Sequence, residues 1–130
     1  MVRIFVVDDN ALIRAHLRAM LELQAEWKVV GEACNGLHAV ETCHEHRPHI
    51  TVMDFVMPEM DGLEAARHLS RRHPDVPILM VTFDASRQLE EEARKAGIKG
   101  LCPKAHIRCL MVAVAALLRG ETYFYSQQAA

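Results

Sequence analysis

The sequence predicts an α/β protein in which about five parallel strands are joined by crossover helices, a doubly wound sheet. Short runs rich in β-branched residues alternate with longer stretches of helical periodicity, and turn or capping residues stand at each junction. This alternation is typical of a parallel sheet with a helix in each connection. The 130 residues, 51% of them hydrophobic, fit one compact domain with an ordinary core.

The first half of the chain predicts three strands and two helices. VRIFVVD is apolar almost throughout, as expected for a strand covered on both faces, and Asn10 follows as the N-cap of a helix to about Leu23. WKVVGEA predicts the second strand, and the NG turn after it opens a second helix that ends before Pro48. HITVMD predicts the third strand.

The second half continues the alternation. A third helix ends at an HP pair and is followed by the strand VPILMVT. Ser86 caps a fourth helix that Gly97 ends, KGLCP predicts a short fifth strand, and 107–118 predict a fifth helix. We therefore expect the domain to comprise residues 1–120, and residues 121–130 to form a C-terminal tail or the start of a linker.

Composition argues against several classes of protein. There is no apolar run of membrane length and no leader pattern, which predicts a soluble cytoplasmic protein without membrane contact. The formal net charge of −2 argues against nucleic-acid binding by this domain, because phosphate neutralisation needs surplus Lys and Arg. Cys34, Cys43, Cys102 and Cys109 show no CxxC spacing, and we expect them to be reduced and mostly buried.

Three carboxylates stand at the carboxyl ends of predicted strands. Asp8 and Asp9 end the first strand, and Asp54 ends the third. Ligands of open α/β sheets bind beyond this edge where the strand order reverses, commonly between the first and third strands, so we expect the acids to converge. Like charges this close repel, and a divalent cation would resolve the conflict. Carboxylate and carbonyl ligands favour Mg²⁺ over Zn²⁺.

Thr82 and Lys104 follow the fourth and fifth strands at the same edge of the sheet. A hydroxyl donor and a cation beside a metal and a carboxylate could hold phosphoryl oxygens on every side. Asp54 is then predicted to act as a nucleophile. The alternative, that loop acids merely solvate the strand ends or cap helices, is disfavoured because all of these groups converge.

The set Asp8-Asp9, Asp54, Thr82 and Lys104, with MPEMDGLEA after the central aspartate, strongly resembles the receiver domain of two-component response regulators over nearly the whole chain. The resemblance implies a flavodoxin-like, CheY-like fold, with a five-stranded parallel sheet of order 2-1-3-4-5 flanked by five helices. VGEACNG, AGIKGLCPKA and LLRGETYF are similar to the NarL/FixJ-type branch, whose members usually carry a C-terminal helix-turn-helix domain.

The resemblance also implies a chemistry. Asp54 would accept a phosphoryl group from a sensor histidine kinase, a phosphotransfer protein or a small phosphodonor. Mg²⁺ would be held by Asp9, Asp54 and the backbone carbonyl of Val56, and Asp8 would act mainly through a metal-bound water. The domain would be no enzyme beyond catalysing its own phosphorylation and dephosphorylation.

Switching is implied by the same resemblance. Lys104 would pair with one phosphoryl oxygen, and Thr82 would move inward to donate a hydrogen bond to another, shifting an existing equilibrium between two packings. Many receivers carry an aromatic residue three positions before the lysine, where this chain has Leu101, and Phe83 is the candidate substitute. The fourth helix, fifth strand and fifth helix would form the readout face.

Other functions stay open at this point. One is a receiver fragment of a NarL/LuxR-type DNA-binding transcription regulator whose helix-turn-helix domain is absent, and another is a degenerate receiver that is not phosphorylated. A phosphatase of the haloacid dehalogenase type would need Asp-x-Asp after the first strand, and an FMN binder would need a phosphate loop there.

Two further stretches invite interpretation. The apolar CLMVAVAALL helix predicts a homodimer or interdomain contact beyond core packing. CHEHRPH is interpreted as a solvated helix end rather than a metal site, because it lacks HExxH order.

Overall fold

Six strands and six helices form the described part of the chain, residues 1–84 and 86–128 of a computed structural model. The strands are β1 (Val2–Val7), β2 (Trp27–Ala33), β3 (Ile50–Met53), β4 (Ile78–Thr82), β5 (Gly100–Pro103) and β6 (Tyr123–Phe124). The helices are α1 (Ala11–Leu21), α2 (Gly36–His46), α3 (Gly62–Arg72), α4 (Arg87–Lys95), α5 (Cys109–Leu118) and α6 (Tyr125–Gln128). One 3₁₀ turn, Lys104–His106, separates β5 from α5.

All strand pairs are parallel, and the order across the sheet is β2-β1-β3-β4-β5-β6. The expected order 2-1-3-4-5 is confirmed, and β6 extends it beyond β5. Tyr123 and Phe124 pair with Gly100 and Leu101. Two residues are too few to carry a period, so the sequence pattern does not predict this strand. Residues 129 and 130 of the predicted tail lie outside the described residues.

Two hydrophobic cores lie on opposite faces of the sheet. Phe5 and Val7 of β1 belong to the core that α2, α3 and α4 cover. Ile4 and Val6 belong to the core that α1 and α5 cover. Successive side chains of a strand point to opposite faces, so a strand between two helix layers needs apolar residues at every position. The apolar runs in the sequence reflect this double coverage.

Side-chain caps begin the helices where the sequence predicts them. Asn10 Oδ1 accepts hydrogen bonds from the backbone N–H groups of Leu12 and Ile13 at 2.9 and 3.1 Å. Ser86 Oγ accepts one from the N–H of Leu89 at 3.1 Å. Each cap satisfies an N–H group that has no partner within its helix. These caps therefore fix where the loops at the carboxyl edge of the sheet end.

Most of α5 packs into the core. Its buried residues are Leu110, Ala113, Val114, Ala116 and Leu117. Val112 is the large apolar side chain of this helix that is mostly exposed, at 58%. None of the helices in the described residues combines the length and apolarity needed to span a bilayer.

The cysteines correct one expectation. Cys102 in β5 and Cys109 at the start of α5 form a disulfide, with Cα atoms 6.4 Å apart. Cys43 is a buried thiol as expected, whereas the thiol of Cys34 is exposed. The pair escapes a CxxC search because the turn between β5 and α5, and not the spacing, folds Cys109 back onto Cys102.

Candidate functional site

The carboxyl edge of the sheet brings three acids together. Asp8 and Asp9 follow β1, Asp54 follows β3, and these strands are neighbours with Val7 opposite Met53. One oxygen from each carboxylate lies within 4.8 Å of the others, the one such group of three potential metal-binding side chains within the described residues. Residues of the CHEHRPH stretch do not form a comparable group in that part of the chain.

The three acids differ in their surroundings. Asp8 is 1% exposed and Asp54 is 8% exposed, whereas Asp9 faces solvent. Asp8 Oδ1 accepts a hydrogen bond from the backbone N–H of Asn10 at 2.9 Å. Asp54 Oδ1 accepts one from the N–H of Phe55 at 2.8 Å. Each buried carboxylate therefore keeps one oxygen on its own loop and presents the other to the shared site.

Lys104 occupies that shared side. Its Nζ lies 2.9 Å from Asp8 Oδ2 and 3.2 Å from Asp54 Oδ2, and its side chain is 8% exposed. One ammonium group beside three carboxylates leaves negative charge uncompensated when all three acids are ionised. The donor set is oxygen only and retains one exposed carboxylate, and this arrangement fits a hard cation such as Mg²⁺.

Burial raises the pKa of the Asp54 carboxyl above its ordinary value. The Lys104 ammonium lowers that pKa in part, and the Asp8 carboxylate raises it. Desolvation disfavours the charged form of an acid, and a second carboxylate adds repulsion. The site therefore holds Asp54 in an unfavourable ionised state that a cation would relieve.

Thr82 ends β4 and is buried. Its Oγ1 accepts a hydrogen bond from the backbone N–H of Asp84 at 3.2 Å. Because the oxygen serves as acceptor in this bond, the hydroxyl proton is still available to another acceptor.

The two candidate switch positions lie in opposite environments. Leu101 is 1% exposed inside the core, whereas Phe83 is 74% exposed. The Phe83 ring centroid lies 5.1 Å from Lys104 Nζ, within the range of a cation–π contact. Phe83 is therefore an aromatic side chain in contact with the site lysine.

The loop after Asp54 closes onto the start of α3. The backbone N–H of Gly62 donates to the carbonyl of Phe55 at 2.7 Å. A Cβ on Gly62 would collide with the Asp54 carbonyl oxygen, so a larger residue would displace the loop. Asp61 caps α3 by accepting from the N–H of Glu64 at 2.9 Å. Val56 lies in this loop with its side chain exposed.

One contact near the acids escaped the sequence reasoning. Arg14 Nη1 donates to the backbone carbonyl of Asp8 at 2.6 Å, and Arg14 Nε donates to Glu32 Oε1 at 3.0 Å. Burial raises the pKa of the Glu32 carboxyl, but hydrogen bonds and charge from Arg18 and Arg14 outweigh it, so the pKa is lowered overall. The signal in the sequence was a basic residue one turn into the helix that follows the acids.

Comparison with known proteins places these residues in a family. Residues 4–115 match the response regulator receiver domain. The response regulator UvrY of Escherichia coli (strain K12) is 35% identical over 127 residues, covering 97% of this chain and 58% of UvrY. A protein-glutamate methylesterase/protein-glutamine glutaminase of Alkalilimnicola ehrlichii is 43% identical over 106 residues, covering 79% of this chain and 27% of that protein.

A solved structure agrees with this placement. A LuxR-family two-component response regulator from Aurantimonas sp. SI85-9A1 superposes with a TM-score of 0.89 at 31% identity, covering 93% of this chain and 87% of that one. The chain spans a little more than half of UvrY and about a quarter of the methylesterase. The chain belongs to the response regulator receiver domain family, in its NarL/FixJ-type branch, and is a phosphorylation-switched signalling receiver.

Proposed function

We propose that Asp54 is the phosphoacceptor and that Asp8 and Asp9 complete its magnesium site. The observation that carries this proposal is the arrangement of three carboxylates within 4.8 Å of one another around the buried Lys104 ammonium. The ion would be held by Asp9, Asp54 and the backbone carbonyl of Val56. Asp8 would act mainly through a water bound to the ion. When bound, Mg²⁺ neutralises the acids and the transferring phosphoryl group.

In the proposed reaction, a carboxylate oxygen of Asp54 attacks the phosphorus of a phosphohistidine. A P–O bond forms, the P–N bond breaks, and its electron pair stays on the histidine nitrogen. Lys104 lies close enough to Asp54 to follow the phosphoryl group and pair with one of its oxygens. Thr82 donates its hydroxyl proton to another oxygen while still accepting from Asp84. The chain thereby catalyses only its own phosphorylation and dephosphorylation.

The readout of this switch is proposed on the face formed by α4, β5 and α5. Part of that face is covered by the chain's own end, because the Arg94 guanidinium lies 3.7 Å from the centroid of the buried Phe124 ring. Glu90 is buried beside it, pairs with Arg94 at 3.2 Å and accepts a hydrogen bond from Ser126. We retain 1–120 as the receiver domain and 121–130 as tail or linker, with β6 and α6 seated against α4 and β5.

The proposed donor is a sensor histidine kinase or a phosphotransfer protein, and the proposed location is the cytoplasm. This domain would bind no nucleic acid because its net charge is −2. We also propose a homodimer or interdomain contact through α5, the helix on which the apolar side chain of Val112 is exposed. A second candidate, the receiver portion of a NarL/LuxR-type transcription regulator, is favoured by the 30% identity to the transcriptional regulatory protein DegU of Brevibacillus brevis, of which this chain spans 53%.

The decisive experiment is intact mass spectrometry after incubation with acetyl phosphate and Mg²⁺. We expect the wild type to gain one phosphoryl group and Asp54→Asn to gain none. Asp75→Asn, which removes an exposed acid outside the site, should behave as the wild type. A phosphoryl group on Asp54→Asn would place the acceptor elsewhere. Wild-type protein that stays folded yet gains none from acetyl phosphate or from a cognate kinase would identify a degenerate receiver.

A further inference from the structure

The disulfide encloses the segment that carries the site lysine. Cys102 lies two residues before Lys104, and Cys109 lies five residues after it. The bond therefore joins the end of β5 to the first residue of α5 across the turn that holds Lys104. Lys104 Nζ contacts both Asp8 and Asp54. A change in the conformation of this turn would therefore alter the position of the ammonium group relative to these two carboxylates.

The location of the bond argues against a purely structural role. This step rests on the proposed function, which places the domain in the cytoplasm. Disulfides are rare in that compartment, and those of mesophilic proteins there are usually transient and catalytic or redox-sensing. A domain of this size with two hydrophobic cores also has no need of a disulfide for stability.

The two sulfurs differ in how a reagent could reach them. Cys102 is 0% exposed, whereas Cys109 is half-buried. Cys109 lines a cavity of about 540 Å³ together with His106, Arg108 and Tyr125. A cavity of this size with a basic side chain fits a small anionic thiol or disulfide. Cys109 is therefore the sulfur that reacts first with a small thiol or disulfide, and Cys102 is the sulfur that completes the exchange.

The fold also accommodates the reduced pair. Cys102 Sγ lies 3.8 Å from the backbone carbonyl oxygen of His106, an acceptor within reach of a thiol proton. Breaking the bond would thus leave the buried sulfur with a hydrogen-bond partner. We propose that Cys102 and Cys109 form a reversible thiol–disulfide site, exchanging with low-molecular-weight disulfides and thiols, that controls the turn holding Lys104.

Oxidation proceeds in two exchanges. The Cys109 thiolate attacks one sulfur of a small disulfide, forming a mixed disulfide and expelling one small thiolate. The Cys102 thiolate then attacks Cys109 Sγ, forming the internal bond and expelling the second thiolate. The protein loses two electrons and two thiol protons, and the small disulfide becomes two thiols. Reduction by a small thiol runs through the same mixed disulfide in reverse.

The closed bond should favour phosphorylation. It limits the conformations of the turn and so keeps Lys104 positioned against Asp54 before the phosphodonor arrives. Positioning of reacting and stabilising groups contributes strongly to rate, and we expect reduction to slow phosphorylation by about threefold or more.

The test uses two independent readouts. The first is the number of thiols alkylated in denaturant after equilibration of the folded protein with oxidised or reduced glutathione. A Cys34→Ser variant removes the exposed thiol that would complicate the count. In this variant we expect one alkylated cysteine, Cys43, after oxidation and three after reduction. Three in both conditions would overturn the proposal.

The second readout is the rate of phosphorylation by acetyl phosphate in each redox state. We expect Cys34→Ser to respond to the redox state, and Cys34→Ser with Cys109→Ser to show one rate in both. Equal rates for the oxidised and reduced pair would overturn control of Lys104 by the bond. If no phosphorylation occurs at all, the alkylation count still tests the exchange, so failure of the proposed function is distinguished from failure of the redox site.

Discussion

Lys104 Nζ lies 2.9 Å from Asp8 Oδ2, and neither side chain is more than 8% exposed. A pair this buried gains from mutual attraction but loses hydration on both sides, so its net effect on stability is small. Removing one partner has a much larger effect because the other charge stays buried without compensation. Lys104 therefore matters to the folded state before any phosphoryl group arrives.

Replacing Lys104 with methionine should destabilise the metal-free domain. Lys104→Met keeps the length of the side chain but leaves Asp8 and Asp54 facing each other without a cation. We expect the free energy of unfolding near neutral pH to fall by about 3 kcal/mol. Mg²⁺ should restore most of it. Urea denaturation with and without Mg²⁺ measures both effects, and a variant as stable as the wild type would mean that the pair is already screened by solvent.

Asp54→Asn should stabilise the metal-free domain. Burial raises the pKa of Asp54 above its value in the unfolded chain. The protonated form therefore favours folding, and this contribution is present at low pH and lost as pH rises through the folded-state pKa. The wild type should lose stability relative to Asp54→Asn as pH rises from about 4, the ordinary pKa of an aspartate, through the higher pKa of Asp54 in the folded protein. Denaturation curves across this range test the difference, with Asp75→Asn as the control, and parallel pH profiles of wild type and Asp54→Asn would contradict it.

Arg14 should tune the magnesium site without touching the ion. Its guanidinium donates one hydrogen bond to the backbone carbonyl of Asp8 and another to the carboxylate of Glu32. Outer contacts of this kind typically change metal affinity by about 10-fold to 100-fold when removed. We expect Arg14→Met to weaken Mg²⁺ binding toward the lower end of that range in a calorimetric titration. Arg67→Met, an exposed change on α3, should leave it unaltered, and equal affinities for both variants would remove Arg14 from this role.

Phe83 should report on the switch. Its side chain is exposed beside Lys104, whereas Leu101 is buried in the core. In a Trp27→Phe background, Phe83→Trp supplies a single tryptophan at this position. We expect its emission to move to shorter wavelength with beryllofluoride and Mg²⁺, because the proposed inward movement of the loop after Thr82 would bury the indole. The same variant with Asp54→Asn serves as the control, and an unchanged spectrum in both would assign the switch to another group.

Phe124 should contribute to the stability of the whole domain. It is 1% exposed and belongs to the core that α4 covers, and Arg94 packs over its ring. Truncating a buried phenylalanine typically costs about 3 kcal/mol or more. We expect Phe124→Ala to lower the free energy of unfolding by roughly that amount in urea denaturation. Leu12→Ala, at an exposed apolar position, should have little effect. A loss well below 1 kcal/mol would mean that the end of the chain detaches without disturbing the core.

The sequence predicted the fold and the convergence of the acids because both follow from one rule. Alternating elements predict a parallel sheet, and the carboxyl ends of parallel strands share an edge, so residues far apart in the chain meet there. Asp8 and Asp54 lie at the same edge of the sheet for this reason, on the paired strands β1 and β3. The strand order 2-1-3-4-5, which makes β1 and β3 neighbours, was implied by the resemblance to receiver domains and did not follow from residue type and position alone.

The features that escaped prediction depend on how turns fold rather than on element type. The Cys102–Cys109 bond requires the exact path between β5 and α5. Arg14 reaches a backbone carbonyl, and any residue at position 8 would provide one. β6 has only two residues, and its pairing becomes visible only once the edge of β5 is in place. Such contacts leave no periodic signal in the sequence.

The position of β6 also bears on how the protein behaves at high concentration. Without β6, β5 would be an edge strand, and the unpaired N–H and C=O groups of such a strand can template pairing with another chain and so promote aggregation. The backbone N–H of Tyr123 donates to the carbonyl of Lys99 at 3.0 Å, and the strands lie so close that a Cβ on Gly100 would meet the Tyr123 carbonyl oxygen at 2.8 Å. β6 thus replaces β5 as the edge on this side of the sheet, and an edge strand of two residues offers few groups for intermolecular β-pairing.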